Sequence, residues 1–333
     1  MTGIKALRRL QLGVEAVSGT AVAATALWRG LGTMEDTREV VFVEEDVGFL
    51  SGLDRTYTPR LGAALTMDDT EATYEQLPYV LAAGVENVIT GGADGAGSGK
   101  IYLYSFPTTA PKTTRTYTIE GGDNHQAYRM EYGFVRSFSL AGVAGEAWKI
   151  SVDWLGRQMA KNAFTAAPAT PVVEEALFSR TKLYIDAVGG TIGTTLKSNT
   201  LLGATLNVDT GLREVETADG NIFFAFTKQV GPEITLDITF EHDASAIIEY
   251  DAWVAETPRQ IRLLTDGTLL TTAGTNYSRK TLKIDLAGKW EKFEKLGERD
   301  GNDILAGTFR ARFNATAALY ANIVVVNQLA SLP

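Results

Sequence analysis

The sequence predicts a mainly β protein made of two tandem antiparallel β-sandwich or barrel domains, each with one flanking α-helix. Three observations lead to this fold class. Apolar and polar residues alternate, Asp-Gly turns separate the alternating stretches, and one strand–turn–helix unit occurs twice. The chain has 333 residues, of which 45% are hydrophobic and 21% charged. This length is sufficient for two ordinary hydrophobic cores.

Alternation is clearest in four stretches, at 148–154, 234–240, 282–286 and 309–313. A period of two places successive side chains on opposite faces of a β-strand, so each stretch has one apolar and one polar face. Such strands are typical of half-buried antiparallel sheets, because strands of parallel sheets are apolar almost throughout. Asp-Gly and Asp-Thr-Gly sequences supply the tight turns that antiparallel hairpins need.

The repeated unit is an alternating strand, an acidic turn and an amphipathic helix. Its first copy covers 60–84 and its second 233–255. An offset of 173 residues sets Met67 on Phe240 and the helices on one another. The copies agree in pattern more than in identity, which indicates a duplicated domain.

Each predicted helix has a start signal and a stop signal. Thr70 and Asp243 are expected to cap the two N-termini, because a side-chain oxygen there accepts a backbone N–H. Gly84 is expected to end the first helix and Pro258 follows the second. Pro78 predicts that the first helix begins only near Glu75.

The predicted domain boundary is the stretch 163–172, where small residues and two prolines indicate a short extended linker. The sequence therefore predicts one domain at 1–165 and another at 166–333. No apolar run reaches the ~18 residues of a membrane helix, and no apolar stretch follows the basic N-terminal residues as a secretory signal would require.

Charge and composition exclude several function classes. The net charge of −9 argues against a surface that binds nucleic acid through phosphate contacts, which needs clustered Lys and Arg. The absence of cysteine excludes disulfides, thiolate metal sites and cysteine nucleophiles.

The glycine-rich stretch 90–99, followed by Lys100, invites comparison with a phosphate-binding loop. That motif needs an earlier Gly where Asp94 stands and a hydroxyl where Ile101 stands, and a helix rather than a strand should follow. We therefore expect a surface hairpin loop. The two histidines, His125 and His242, are expected in a turn and beside a helix start, not at a catalytic or metal centre.

Other candidate sites also have a structural explanation. The acidic cluster at 68–71 lacks the spacing of a calcium loop and is expected to precede a helix. Trp148, Trp154 and Trp253 are expected to face the core and not a sugar. The sequence therefore predicts no catalytic, cofactor-binding or metal-ligating residue, no cofactor, and a protein that is not an enzyme.

Several segments resemble the tail tube (major tail) proteins of long-tailed, non-contractile bacteriophages. Besides the strand–helix unit, they are LGVEAVSGTAV at 12–22, VEEDVG at 43–48, KSNTLLGATLNVDTG at 197–211, GNDILAGTFRARF at 301–313 and ANIVVVN at 321–327. The resemblance spans nearly the whole chain. It implies tube domains that pack into rings and rings that stack into a hollow virion tail tube, assembled in the host cytoplasm. DNA would pass through the lumen without specific binding.

The resemblance also implies partners: copies of the chain itself, and tape measure, tail-tip and tail-terminator proteins, but no membrane. Two tube domains per chain predict rings of three chains with pseudo-sixfold symmetry. The alternative is one tube domain plus a decoration domain, with six chains per ring. Asp153 and Asp237 are candidates for facing the lumen.

Assembly is expected to use segments outside the two cores. We expect these to be 2–12, 38–59, 209–221 and 315–333. If so, deletion of 315–333 should leave a folded protein that forms no tubes. Three other functions stay open: a secretion-system ring or tube protein, a β-sandwich carbohydrate-binding module, and a capsid-decoration protein.

Overall fold

Antiparallel β-strands make up most of the fold in the computed structural model, which describes residues 2–333. The strands up to the predicted boundary are β1 (Arg9–Val14), β2 (Ala26–Trp28), β3 (Thr33–Asp36), β4 (Glu39–Phe42), β5 (Thr56–Arg60), β6 (Ala63–Glu71), β7 (Gly92–Ala93), β8 (Lys100–Ser105), β9 (Tyr117–Gly122), β10 (Ala127–Val143), β11 (Lys149–Gly156) and β12 (Met159–Asn162). Those after it are β13 (Thr181–Ala187), β14 (Leu196–Lys197), β15 (Leu201–Asp209), β16 (Leu212–Val215), β17 (Phe226–Gln229), β18 (Glu233–Glu241), β19 (Arg259–Leu269), β20 (Arg279–Phe293), β21 (Gly297–Arg299), β22 (Asn302–Ala311) and β23 (Ala321–Asn327). The α-helices are α1 (Leu77–Gly84) and α2 (Ala244–Val254).

Eight strands form the principal sheet, in the order β3–β6–β11–β10–β15–β18–β22–β20, and every neighbouring pair is antiparallel. Four of these strands come from each half of the chain. The sheet crosses from the first half to the second where β10 pairs with β15. Apolar side chains alternate with polar ones along each strand, as the period of two predicts.

A second layer of strands lies against the principal sheet. In the first half its order is β2–β1–β9–β10–β12, and in the second half β14–β13–β19–β20–β23. The long strands β10 and β20 each belong to both layers. Gly133 and Gly288 lie where these strands change partners, and a Cβ atom would approach a backbone oxygen to 2.7 Å at Gly133 and to 2.1 Å at Gly288. Only glycine fits such close backbone contacts.

The pairing pattern of β1–β12 recurs in β13–β23. Across the principal sheet one row reads Met34–Leu65–Trp154–Val135, and the matching row reads Leu206–Leu236–Phe309–Trp290. In both halves the strand register shifts directly after the last residue of the row. The shift follows Val135 in the β10–β11 pair and Trp290 in the β20–β22 pair. Leu65 and Leu236 are 171 residues apart, so the offset of 173 inferred from the sequence is two residues too large.

The two halves are packed together over one hydrophobic core. Trp148 and Trp154 are fully buried, as predicted, whereas Trp253 is only half-buried. The Trp148 indole donates to Thr265 Oγ1 in the second half at 3.0 Å and packs edge-on against Phe178. A strand pair also connects the halves, because β8 of the first half pairs with β23 of the second at the edge of the second layer.

The helices follow part of the prediction. Asp243 caps α2, since its carboxylate accepts the Ala246 N–H at 2.9 Å. Helix α1 starts late, as Pro78 predicts, and ends at Gly84. Thr70 is not its cap, because this residue lies inside β6.

The acidic cluster at 68–71 does not precede a helix, which corrects the sequence prediction. It belongs to β6, and Asp68, Asp69 and Glu71 are exposed on that strand. Instead, Thr73 lies in the turn before α1, where its hydroxyl accepts the Gln76 N–H at 3.3 Å. No helix within residues 2–333 combines the length and apolarity needed to cross a bilayer.

Two of the predicted assembly segments belong largely to the fold. In the C-terminal segment, β23 lies between β20 and β8, and Ile323 and Val325 are fully buried. Deleting 315–333 would remove a core strand, so the expectation of a folded protein after this deletion is wrong. In the N-terminal segment, Leu10 and Leu12 are buried in β1, which leaves only 2–8 outside the sheets.

Candidate functional site

The principal sheet presents one continuous polar face. Asp153 lies at its centre in the first half, where its carboxylate accepts from the hydroxyls of Thr66 at 3.3 Å and Ser137 at 3.0 Å. Asp237 lies on the same face in the second half and accepts from Thr308 Oγ1 at 2.5 Å. Both aspartates predicted to lie on polar strand faces do so.

Carboxylates outnumber basic groups on this face. Among its acidic residues are Glu35, Glu71, Asp153, Asp209, Glu233, Asp237 and Glu241, and among its basic ones are Lys149, Lys289, Lys292 and Arg310. Burial raises the pKa of Asp209, but hydrogen bonds from Arg213 and the Gly211 N–H outweigh it and hold the pKa below its usual value. The face therefore carries an excess of negative charge and repels phosphate.

The two ends of the principal sheet are open. Within residues 2–333, β3 pairs only with β6, and the end of β20 after Gly288 pairs only with β22. In the repeat, β3 corresponds to β15 and β20 corresponds to β10. The two end strands, each with one free edge, are thus the counterparts of β10 and β15. Those two strands pair with each other in the middle of the sheet, where Ser137–Val143 runs against Gly203–Asp209.

A hairpin from the second half rests on the first half. This second hairpin (β16, β17 and their loop, residues 212–229) places Leu212 and Phe224 in a buried cluster with Tyr132 and Phe134. The Phe224 ring packs edge-on against Tyr132 at 5.0 Å and against Phe134 at 5.9 Å, measured between centroids.

Arg157 of the first half binds the backbone of this hairpin. Its Nε donates to the Phe224 carbonyl at 3.0 Å, its Nη2 donates to the Ala225 carbonyl, and its guanidinium lies 4.5 Å from the centre of the Tyr132 ring. Arg60 adds an ion pair with Glu214 at 2.6 Å. Burial raises the pKa of Glu214, although Arg60 opposes the shift.

In the described part of the chain, the corresponding hairpin of the first half is held only at its base, where its last residue, Arg60, pairs with Glu214. This first hairpin (β4, β5 and their loop, residues 39–60) exposes Phe42 by 69%, Phe49 by 64% and Leu50 completely. Its loop also carries several carboxylates. Of the four assembly segments expected from the sequence, this one is the clearest unpartnered apolar segment.

The two helices differ in burial, as the two hairpins do. Every residue of α1 is buried. By contrast, α2 exposes Ile247, Ile248 and Val254 by about half or more. Contiguous exposed apolar patches are typical of interaction surfaces.

The features that suggested small-ligand chemistry have structural roles. The glycine-rich stretch forms the β7–β8 hairpin, as predicted, with Gly92 opposite Ile101. Asp94 in its loop accepts the N–H groups of Asn276 and Tyr277, which ties this hairpin to the second half. No group of three or more His, Asp or Glu side chains within residues 2–333 is arranged to hold a metal ion.

Both histidines lie at turns. The His125 N–H donates to Asp123 Oδ1 between β9 and β10, and the His242 N–H donates to the Asp303 carbonyl just before α2. The structure does not bring the two imidazoles together. What the architecture offers is an open sheet, an acidic face and an unpartnered apolar hairpin.

An open sheet with an unpartnered hairpin fits a chain that assembles with copies of itself. No curated protein matches this sequence. A protein-family model described as phage tail tube protein matches residues 6–317, which is nearly the whole chain. The chain belongs to the phage tail tube protein family.

Proposed function

We propose that this chain comprises two tube domains, residues 1–165 and 166–333, and that three chains close into a ring. Rings then stack into the hollow tail tube through which phage DNA is delivered. The observation that carries the proposal is the open principal sheet, whose two end strands are the counterparts of the pair joined in its middle.

Ring closure repeats the junction already present inside the chain. In each chain β10 pairs with β15, and between chains the end of β20 would pair with β3 of the next. Each such junction removes two sheet edges that otherwise promote irregular aggregation. A two-domain chain needs three intermolecular junctions to complete a ring with six similar domains.

The polar face would line the lumen. Three principal sheets make a barrel of about 24 strands, and strands ~4.8 Å apart and tilted by about 40° give a backbone diameter of roughly 50 Å. This leaves room for a DNA duplex after the side chains are allowed for. The excess of carboxylates, including Asp153 and Asp237, would keep DNA from adhering to the wall.

The tube would join the other tail components at its ends and inside its lumen. We assign these roles to the tail-tip and tail-terminator proteins and to a tape measure protein within the lumen, with assembly in the host cytoplasm before the tube becomes part of the virion. The second layer, which lies outside the barrel, is free to contact neighbouring rings.

Electron cryomicroscopy of the purified chain tests the proposal. We expect tubes whose cross-section has threefold rotational symmetry and six similar lobes. Six chains per ring with true sixfold symmetry would reject the three-chain ring and favour one tube domain plus a decoration domain. A protein that stays monomeric at all concentrations would reject polymerisation itself.

A further inference from the structure

The second hairpin packs on a surface of the first half, and the second half of the chain has a corresponding surface. The matched rows of the sheet set Val135 on Trp290 and Trp154 on Phe309. By the same count, Lys289 stands where Phe134 stands, Arg310 where Leu155 stands, and Arg312 where Arg157 stands. The arginine that fastens the second hairpin therefore has a counterpart of the same type.

This corresponding surface is a groove. Its cavity volume is about 410 Å³, and Gly288, Lys289, Arg310, Arg312 and Phe313 are among the residues that line it. Phe313 is 54% exposed. Arg312 is exposed and makes no ion pair or side-chain hydrogen bond within residues 2–333.

From Val41 onward the first hairpin has the register of the second, although the bulge between Glu39 and Val41 has no counterpart beside Leu212. Val41 pairs with Tyr57 as Arg213 pairs with Lys228. Counted from these pairs, Val40 occupies the position of Leu212, and Leu53 that of Phe224. Leu212 and Phe224 are buried, whereas Val40 is 49% and Leu53 43% exposed.

Charge is complementary between hairpin and groove. The loop of the first hairpin carries Glu44, Asp46 and Asp54, none of which forms an ion pair in the part of the chain that the structure describes. The groove carries Lys289 and Arg312, whereas Arg310 is already paired with Glu291, which also lines the groove. Opposite charges of this kind steer association and fix the register of a contact.

We propose that the first hairpin of one chain docks in this groove on the second half of the neighbouring chain in the same ring. Leu53 packs on the stem of Lys289, and Arg312 donates to backbone carbonyls at 53–54, as Arg157 does at 224–225. The partner is a second copy of this chain, and the inference rests on the proposed ring.

The sheet junction and this hairpin contact involve the same neighbour. Inside the chain, β15 and the second hairpin both leave the second half and contact the first half. Between chains, β3 and the first hairpin would both leave one chain and contact the second half of the next. One rotation therefore satisfies both contacts, which is what a closed ring requires.

Disulfide cross-linking tests the proposal, because the chain has no cysteine of its own. A variant with Leu53→Cys and Lys289→Cys is assembled, oxidised and analysed by non-reducing electrophoresis. We expect covalent dimers and trimers, and a covalent dimer when the two single-cysteine variants are mixed. The matched control combines Leu53→Cys with Lys161→Cys, an exposed lysine on β12, and should not cross-link.

Each outcome is informative. Normal tubes without intermolecular cross-links, or a cross-link confined to single chains, would overturn the hairpin contact and leave the proposed function intact. Cross-linking by the control pair at the same rate would also overturn it. If the cysteine-free parent forms no rings or tubes by microscopy, both the proposed function and the inference fail.

Discussion

The two hairpins are the same element in two different situations. The second hairpin is fastened to the first half by Phe224 and by Arg157. The first hairpin has the same strand register from Val41 onward but leaves Leu53 and Phe49 in solvent. The difference arises because the chain contains only two copies of the unit: the second hairpin finds a preceding copy to rest on, and the first does not.

This comparison shows how one sequence pattern can serve folding in one place and assembly in another. Burial of Phe224 contributes to the stability of the single chain. Burial of its counterpart Leu53 can contribute only when a second chain arrives. Variants at matched positions should therefore separate into those that unfold the chain and those that leave it folded but unassembled.

Replacement of the first hairpin loop, residues 43–55, by a short Asn-Gly turn gives the largest expected effect. We expect a folded monomer and complete loss of tubes, because the apolar side chains of this loop are largely exposed in the single chain. Analytical ultracentrifugation and electron microscopy measure both. Tubes of normal length from this variant would contradict an assembly role for the hairpin.

The next largest expected effect is the difference in unfolding free energy between truncation of Phe224 and truncation of Leu53. Phe224→Ala should lower the free energy of unfolding by roughly 3–5 kcal/mol, because it opens a cavity beside two buried aromatic rings. Leu53→Ala should change it by less than about 0.5 kcal/mol, as for most exposed positions. Urea unfolding of monomeric protein at low concentration gives both values, and equal losses would remove the distinction.

Arg157 and Arg312 provide a third matched pair. Arg157→Ala should cost about 1.5–3 kcal/mol of unfolding free energy, since it leaves two carbonyls without their charged donor. Arg312→Glu should leave the monomer stable but raise the protein concentration needed for assembly about tenfold or more. Lys161→Glu serves as the charge-reversal control. An assembly threshold equal to that of the control would argue against a role for Arg312.

The smallest expected effect is a pH dependence at Asp94, in the hairpin that ties the first half to the second. Burial raises the pKa of this carboxyl, but N–H donors from Asn276 and Tyr277 outweigh it and lower the pKa below the ordinary value of 3.8. A lowered folded-state pKa stabilises the fold above the unfolded-state value, and this stability is lost as pH falls through the folded-state pKa. The difference in melting temperature between the parent and Asp94→Asn should therefore be constant above about pH 5 and shrink as the pH falls from there through the folded-state pKa. A melting-temperature difference that stays constant with pH would mean that Asp94 acts through hydrogen bonding alone and not through its charge.

Much of the fold could be predicted from local patterns. Alternation at 148–154 and 234–240 identified strands β11 and β18, and Asp243 marked the start of α2, because these signals depend on neighbouring residues only. The acidic cluster at 68–71 was misassigned because strand β6 continues through polar residues that face solvent. The sequence does not show that the C-terminal strand β23 is buried, because its partners, β20 and β8, are distant in sequence.

The assembly surface was only partly predictable. The acidic face at Asp153 and Asp237 follows from alternation. The open sheet ends and the groove at Arg312 depend on which strands are neighbours, and a single sequence does not state that. One signal was present: Arg157 and Arg312 recur at a fixed spacing after Trp154 and Phe309. It becomes visible only once the rows of the two halves have been aligned.

The strand pair β10–β15 also has a kinetic consequence. Because it forms when one chain folds, half of the sheet junctions around the proposed three-chain ring would exist before any encounter between molecules. Each association step costs an estimated 4–15 kcal/mol in lost translational and rotational freedom. A ring of three fused chains needs two such steps where a ring of six separate domains needs five, so it avoids about three-fifths of the total cost. Nucleation should then proceed at lower protein concentrations, and elongation of the tail can begin early, while the pool of subunits is still small.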